Sequence, residues 1–289
     1  MSTDREKNSV FSNPITAPAQ VQQAPQQSPR DELDLDVPVD IAPLPSRGLI
    51  YPIGSAFCDA EGVQICAMTT REEDILTNRA YLKQGTVINE VIKSCLLEKS
   101  FNTLDLIVGD RNAILVAVRV TGYGAEYEAE VECEECNAKL KNKFNLSKLG
   151  VKNLKITPVE DHVNLFEYTL PKARLGGQPV VVKFKFMTSK DELETSQIKE
   201  KQTKLGLQQA GTVSGGLATV LQSVNGVTDK AKIARFISKL SPVDSLALRK
   251  YIVDNEPGID MKQDYVCAAC GHTNEVTIPL GSSFLWPNA

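Results

Sequence analysis

Histidine is almost missing from this chain: His162 and His272 are the only two in 289 residues. Neither lies near a nucleophile motif. No G-x-S-x-G, Walker loop or strand-linked G-x-G-x-x-G occurs, so the usual hydrolase, phosphate-cradling and dinucleotide-binding arrangements are not signalled. Tryptophan occurs once, at Trp286. No apolar run reaches the roughly 18 residues that a membrane helix requires. The uncharged stretch 205–228 is a poor lipid segment, because Gln208, Gln209, Gln222, Asn225 and several glycines interrupt it. Positive charge is not in excess: 32 Lys and Arg face 36 Asp and Glu, for a net charge of −4. That balance argues against a bulk nucleic-acid binder, which would carry a basic face or stripe. The N-terminus is polar and has no apolar h-region, so no secretory signal is expected.

What the chain does have is paired cysteine. Of its seven cysteines, four fall in two Cys-x-x-Cys pairs, Cys133–Cys136 in VECEECNAKL and Cys267–Cys270 in YVCAACGHTNEV. Without an export signal the chain belongs in a reducing compartment, where such pairs are more often metal ligands or redox dithiols than structural disulfides. Each pair has the spacing of half a tetrahedral site, and Gly271 allows the tight turn of a zinc-ribbon knuckle. A single shared ion would be zinc, held by Cys133, Cys136, Cys267 and Cys270, and it would clasp together the ends of the 130-residue excursion 137–266. Two independent redox dithiols, or unmetallated cysteines, are the other readings. His272 is available to replace a cysteine, although after a knuckle an exposed or supporting role is commoner. Four thiolates leave no open position for water activation, so this metal would be structural. Glu132, Glu134 and Glu135 around the first knuckle disfavour a grip on phosphates.

Length and composition suit one large domain or two modest ones, and 42% hydrophobic against 24% charged residues means that most of the chain should fold. Residues 1–44, rich in Pro, Gln, Ser and Asp, read as a disordered arm. Its acidic end alternates with Leu33, Leu35 and Val37, which reads first as a solvated tether and second as an extended strand that docks on a partner. An α+β domain over 45–289 follows, with helices and antiparallel hairpins, zinc-ribbon-like halves at 127–146 and 261–280, and an insert at 205–228. A hairpin is expected over 53–68, closed by Asp59–Gly62, with Cys58 facing Val63 and Cys66 facing Ser55. Thr70 with Glu73 fits a capping box, so Glu72, Glu73 and Asp74 read as a helix start rather than a carboxylate site. Ile88, Val91, Ile92, Cys95 and Leu96 form one stripe of a helix over 87–98, which makes Cys95 a core residue. Residues 110–122 lean to helix with Asp110 as N-cap. Strands flank the first cysteine pair over 127–144. A hairpin over 163–187 turns at 174–179, with Val180, Val182, Phe184 and Phe186 on one face and Lys183 and Lys185 on the other.

A charged helix over 189–204 leads into the insert. There Ala210, Val213, Leu217, Val220, Leu221 and Val224 keep helical spacing despite Gly211, Gly215 and Gly216. The insert is either flexible or a contact helix. Ile233, Phe236, Ile237 and Leu240 stripe the next helix, and Ser241, Pro242 and Asp244 open another. At the C-terminus, Phe284, Leu285 and Trp286 either dock on the chain's own core or anchor a neighbouring subunit.

Several segments, taken in order, resemble the baseplate hub and hub-assembly proteins of contractile-tailed, T-even-type bacteriophages. They are LPSRGLIYP, MTTREEDIL, LIVGDRNAIL, the Cys133/Cys136 pair, the helix before EPGID, and CAACGHTNEVTIPLGSSFLWP, spanning about 44–289. The arm and the 205–228 insert have no match to the family pattern. The resemblance implies a non-enzymatic virion or morphogenesis protein that acts where the central hub meets the wedges or tail tube. It also implies other tail proteins as partners, with the virion baseplate, and the host cytoplasm during assembly, as location. The alternative is a zinc-ribbon nucleic-acid-binding or transcription factor, and a thiol oxidoreductase is the third reading.

Overall fold

A computed structural model describes residues 35–204 and 211–285. The chain divides after Asp36, and the helices and strands of the described residues belong to the unit from Val37 onward. The disordered-arm expectation falls mostly on residues outside the described ones. Its last residues do not: β1 (Val39–Pro43) pairs antiparallel with β2 (Gly62–Cys66), with Ile41 opposite Gln64. Ala42 and Leu44 are buried, so the folded unit starts within the stretch assigned by composition to the arm. The hairpin expected over 53–68 does not form, because β2 takes β1 as its partner. The intervening residues coil into successive turns instead, with Arg47, Gly48 and Asp59 all at positive φ. Gly48 is required there: a Cβ would lie 2.2 Å from the Phe57 carbonyl oxygen. Ile50, Tyr51 and Phe57 are buried beneath these turns.

Four helices follow: α1 (Thr70–Thr77), α2 (Arg79–Gln84), α3 (Val87–Cys95) and α4 (Val108–Tyr123). The capping box sits one residue earlier than the sequence suggested, on Thr69 and Glu72. The buried Glu72 carboxylate accepts from the Thr69 N–H at 2.9 Å, the Thr69 hydroxyl at 2.6 Å and the Ser94 hydroxyl at 2.5 Å. It therefore ties α1 to α3 as well as capping α1. Burial would raise its pKa, but the Ser94 and Thr69 hydrogen bonds outweigh that and hold it below the usual carboxylate range. Glu72→Ala is expected to lower stability by about 2–3 kcal/mol, read as a shift in urea midpoint. The wild-type advantage should be full above the unfolded carboxyl pKa and vanish as pH falls through the depressed folded value. Cys95 is fully buried on α3, as its stripe required.

Helix α4 starts at Val108, two residues before the expected N-cap. Asp110 thus lies inside its first turn, fully buried. The helix turns Ile114, Leu115 and Val118 into the core and packs against β1 and α3. Gly109 lets it meet the EPGID segment, since a Cβ there would come 1.7 Å from the Pro257 carbonyl oxygen. Antiparallel β3 (Glu126–Glu132) and β4 (Lys139–Asn145) follow, with Glu128, Glu130 and Glu132 opposite Lys143, Lys141 and Lys139 on an exposed face. This complementarity fixes register more than it adds stability. β5 (Gly150–Lys152) pairs with a later strand at Gly258–Asp260.

β6 (Phe166–Leu175) and β7 (Gln178–Phe184) form the expected hairpin, turned by Gly176 and Gly177 at positive φ. Val180, Val182, Phe184 and Phe186 are all buried, the alternation read from the sequence. The ladder is interrupted between Thr169 and Arg174, around Pro171. Asp244 takes up the freed Lys172 and Ala173 N–H groups at 2.8 and 3.3 Å. α5 (Ser189–Lys204) and α6 (Thr212–Val220) come next, and then β8 (Leu221–Val224) adds a third strand beside β7. The helical spacing thus stops at Val220. Leu221 is extended and Val224 lies opposite Val182, so both complete a sheet rather than a contact helix. Leu217, Val220, Leu221 and Val224 are core residues, whereas residues 205–210 lie outside the described ones.

α7 (Lys230–Ser238) buries Ile233 and Ile237. α8 (Pro242–Asn255) opens as the sequence indicated, with the Ser241 hydroxyl accepting from the Asp244 N–H. β9 (Gly258–Asp260), β10 (Lys262–Val266) and β11 (Thr273–Thr277) lead to α9 (Ser282–Leu285). Phe284 and Leu285 are fully buried, with Phe284 5.1 Å from the Tyr127 ring centroid. They dock on the chain's own core and offer no anchor to a neighbour, while Trp286 lies outside the described residues. The fold is α+β, built from helices and antiparallel pairs around a split four-cysteine cluster.

Candidate metal centre

The β3–β4 and β10–β11 hairpins each end in a Cys-x-x-Cys loop, and the two loops are built alike. In the first, the Cys133 N–H donates to the Ala138 carbonyl at 3.0 Å and the Asn137 N–H returns to the Cys133 carbonyl at 2.9 Å. In the second, Cys267 N–H donates to His272 and Gly271 N–H returns to Cys267, both at 2.8 Å. The residue just after each second cysteine is left-handed, at φ +55 for Asn137 and +73 for Gly271. Asparagine tolerates that region better than other side chains, so Asn137 does for the first knuckle what glycine does for the second.

The loops bring four sulfurs together. Cys133 Sγ lies 3.7 Å from Cys270 Sγ and Cys136 Sγ lies 3.7 Å from Cys267 Sγ. All four atoms are within 4.8 Å of one another, and all four cysteines are free thiols. Zinc–sulfur bonds of about 2.3 Å imply tetrahedron edges of about 3.8 Å, so the donor set fits a zinc ion in both size and softness. Cys133 and Cys267 are buried and Cys136 and Cys270 exposed, so the cluster sits at the protein's surface with one sulfur of each pair turned inward.

The charge balance points the same way. The Cys136 N–H, then those of Glu135 and the Asn274 amide, favour the Cys133 thiolate against burial and bring its pKa down to about 6. The His272 N–H favours the Cys270 thiolate in turn. Burial and the sulfurs of Cys136, Cys267 and Cys133 outweigh it and push that thiol up to about 12. The Cys133 thiolate is made easy while those of Cys136 and Cys270 are made hard, the pattern that a cation among them would relieve.

Asn274 supports the cluster and is legible in the sequence only through register. It is buried on β11 opposite Tyr265, where strand alternation turns a polar residue inward. Its amide nitrogen donates to Cys133 Sγ at 3.4 Å and to the His272 carbonyl at 3.1 Å, and its oxygen accepts from Glu134 N–H at 3.0 Å. The Tyr265 hydroxyl donates to the Glu132 carbonyl at 3.0 Å. Each half of the clasp is thus bonded to the other without the sulfurs. His272 is exposed and contributes its main chain rather than its ring.

Away from the cysteines, the shared motifs turn out to touch one another. Asp110 of LIVGDRNAIL accepts from the N–H and hydroxyl of Ser46, at 2.9 and 2.5 Å, and from the Tyr51 hydroxyl at 2.7 Å, both in LPSRGLIYP. Gly109 abuts EPGID, and Glu73 of MTTREEDIL reaches the end of α4 beyond the LIVGDRNAIL segment, accepting from the Tyr123 hydroxyl at 2.6 Å. Ser46, Tyr51 and Asp110 are sealed from solvent, so these residues close the fold rather than face a substrate.

The sequence model of the family described as T4 bacteriophage base plate protein matches residues 56–286. The chain belongs to this family. No curated protein and no solved structure matches it. Most of the segments that carried the resemblance lie within the matched span of this baseplate protein, both cysteine pairs included. Among its described residues no helix is long and apolar enough to cross a membrane. Membership places it among phage tail components, a class whose members work by contact with other tail proteins.

Proposed function

We propose that the chain is a structural or assembly component of the hub region of a contractile-tail baseplate, binding other tail proteins, with zinc as a structural ion. Cys133, Cys136, Cys267 and Cys270 hold the ion, and no reaction is carried at it. The observation that supports this most is the convergence of four thiols at tetrahedral spacing inside a baseplate-family fold. All four positions would be filled by the protein, which leaves none for substrate or water. The ion, when bound, supplies cross-linking of two distant hairpins, and the chain's own residues orient the sulfurs. The protein acts in the virion tail and, before that, in the host cytoplasm. The nucleic-acid alternative meets Glu132, Glu134 and Glu135 at the first knuckle, where phosphate contacts would have to form.

Two measurements test this. Elemental analysis after dialysis against a weak chelator should find one tightly held zinc in the full chain, lost on Cys133→Ser and equally on Cys267→Ser. Retention of a four-thiolate centre by either variant, read from its cobalt(II) charge-transfer band, would refute the shared site. Mass spectrometry of purified tails and of assembly intermediates should find the chain in at least one of them, and absence from both would remove the baseplate role.

A further inference from the structure

A second cluster of metal-ligating side chains lies in a different part of the molecule. Cys58 Sγ is 3.3 Å from His162 Nδ1 and 3.7 Å from Asp59 Oδ2, and the three residues offer ligand atoms that all fall within 4.8 Å of one another. Bond lengths of about 2.3 Å to sulfur and about 2.0–2.2 Å to nitrogen and oxygen imply edges of about 3.5–3.6 Å around a tetrahedral ion. The two distances to sulfur bracket that value, and the carboxylate lies 4.0 Å from His162 Nε2, an edge that ligation would have to shorten.

The loops that carry these groups are held from outside the cluster. Asp59 N–H donates to the Gly48 carbonyl at 3.3 Å, in the close packing that excludes any side chain at Gly48. Beyond His162, Asn164 grips the Phe186 main chain at both its N–H and its carbonyl, at 2.9 and 2.8 Å. Asp59 and His162 both adopt left-handed backbone, at φ +53 and +60. Such conformations in non-glycine residues persist only where the surroundings impose them. Two loops 104 positions apart in sequence are thus fixed so that their side chains meet.

We propose that Cys58, Asp59 and His162 form a second metal site, for a divalent transition metal of the zinc and cobalt type, with three protein ligands and one open position. Thiolate, imidazole and carboxylate together select such ions over magnesium or calcium. Cys58 is half-buried, His162 largely covered and Asp59 exposed. Asp59 and His162, though not Cys58, line a cleft of about 340 Å³ together with Arg47, Lys155 and Asp161, which gives the cluster access to solvent. This site differs in kind from the four-cysteine cluster, having one sulfur and access to solvent.

Cobalt(II) titration of the full chain, stripped of metal under reducing conditions, separates the two. Two equivalents are expected. One should give the strong sulfur-to-metal charge-transfer band of a four-thiolate site, the other the weak band of a single thiolate. Cys58→Ser and, separately, His162→Gln should remove only the second, weakening it by at least about 100-fold, beyond the 10–100-fold typical for loss of a supporting group. Cys133→Ser should remove only the first, so failure of the shared four-cysteine site leaves the second signal readable. Absence of a single-thiolate cobalt species in the wild-type chain overturns the proposal whatever the variants do. So does a second equivalent that survives both Cys58→Ser and His162→Gln.

Discussion

Stripping the metal from the four-cysteine cluster is expected to lower Tm by on the order of 10–20 °C, with recovery when zinc is returned. The two hairpins involved are two-stranded sheets, and a two-stranded sheet is marginal on its own in water. Ligation by four thiolates contributes about 10–16 kcal/mol in small zinc modules that are unfolded without it. Here the halves keep other ties: the Asn274 and Tyr265 hydrogen bonds, and buried Val131, Phe144 and Ile278 in the common core. Removal should therefore open the clasp without unfolding α4 or the β6–β7–β8 sheet. A net loss of about 5 kcal/mol, at about 2–4 °C per kcal/mol for a domain of this size, gives the stated shift. Acid should act in the same direction, because each ligand must shed its proton to bind. Calorimetric melts with and without chelator, with metal content measured on the same samples, check this. An unchanged Tm in metal-free protein would mean that the hairpins hold each other unaided.

How much of this was legible in the sequence depended on the distance along the chain over which each element is decided. The β6–β7 hairpin was readable because Val180, Val182, Phe184 and two adjacent glycines specify it within a few residues of each other. The start of α8 was readable for the same reason, from Ser241, Pro242 and Asp244. The Cys-x-x-Cys pairs announced both halves of the candidate site, although only the fold could bring the sulfurs to 3.7 Å. What escaped were choices of partner. Gly62–Cys66 had an apolar segment nearby in 53–57 and another at 39–43, and only the turns imposed by Arg47 and Gly48 select the second. Leu221–Val224 continues a helical pattern until the free edge of β7 offers hydrogen bonds that a helix end would leave unmade. Asn274, and Cys58 with His162, carry no local signature. Their roles exist only once segments far apart in the chain are packed together.

Asp110→Ala is the second change expected to have a large effect, a loss of about 3–6 kcal/mol with no change in metal content. Removing the carboxylate leaves the Ser46 N–H, the Ser46 hydroxyl and the Tyr51 hydroxyl without their acceptor in a site sealed from water. Each buried orphan costs about 1–3 kcal/mol, and the small cavity left by alanine gives water little room to replace the oxygen atoms. Tyr51→Phe should be milder, about 1–3 kcal/mol, since it strands chiefly the Ile107 N–H that donates to the hydroxyl at 3.3 Å. The two changes share a partner, so their double variant should lose less than the sum. Burial is the largest influence on the Asp110 carboxyl and pushes its pKa up, against the pull of the Ser46 and Tyr51 hydrogen bonds. A raised folded pKa means that the folded state holds the proton more tightly than the unfolded chain. The carboxyl's contribution is therefore full below the unfolded pKa and declines as pH rises through the folded value. Urea melts of wild type and Asp110→Ala should show their gap narrowing from acidic to mildly alkaline buffer. A gap that widens instead would mean that the ionised carboxylate, not the protonated form, is what the LPSRGLIYP turn was built to hold.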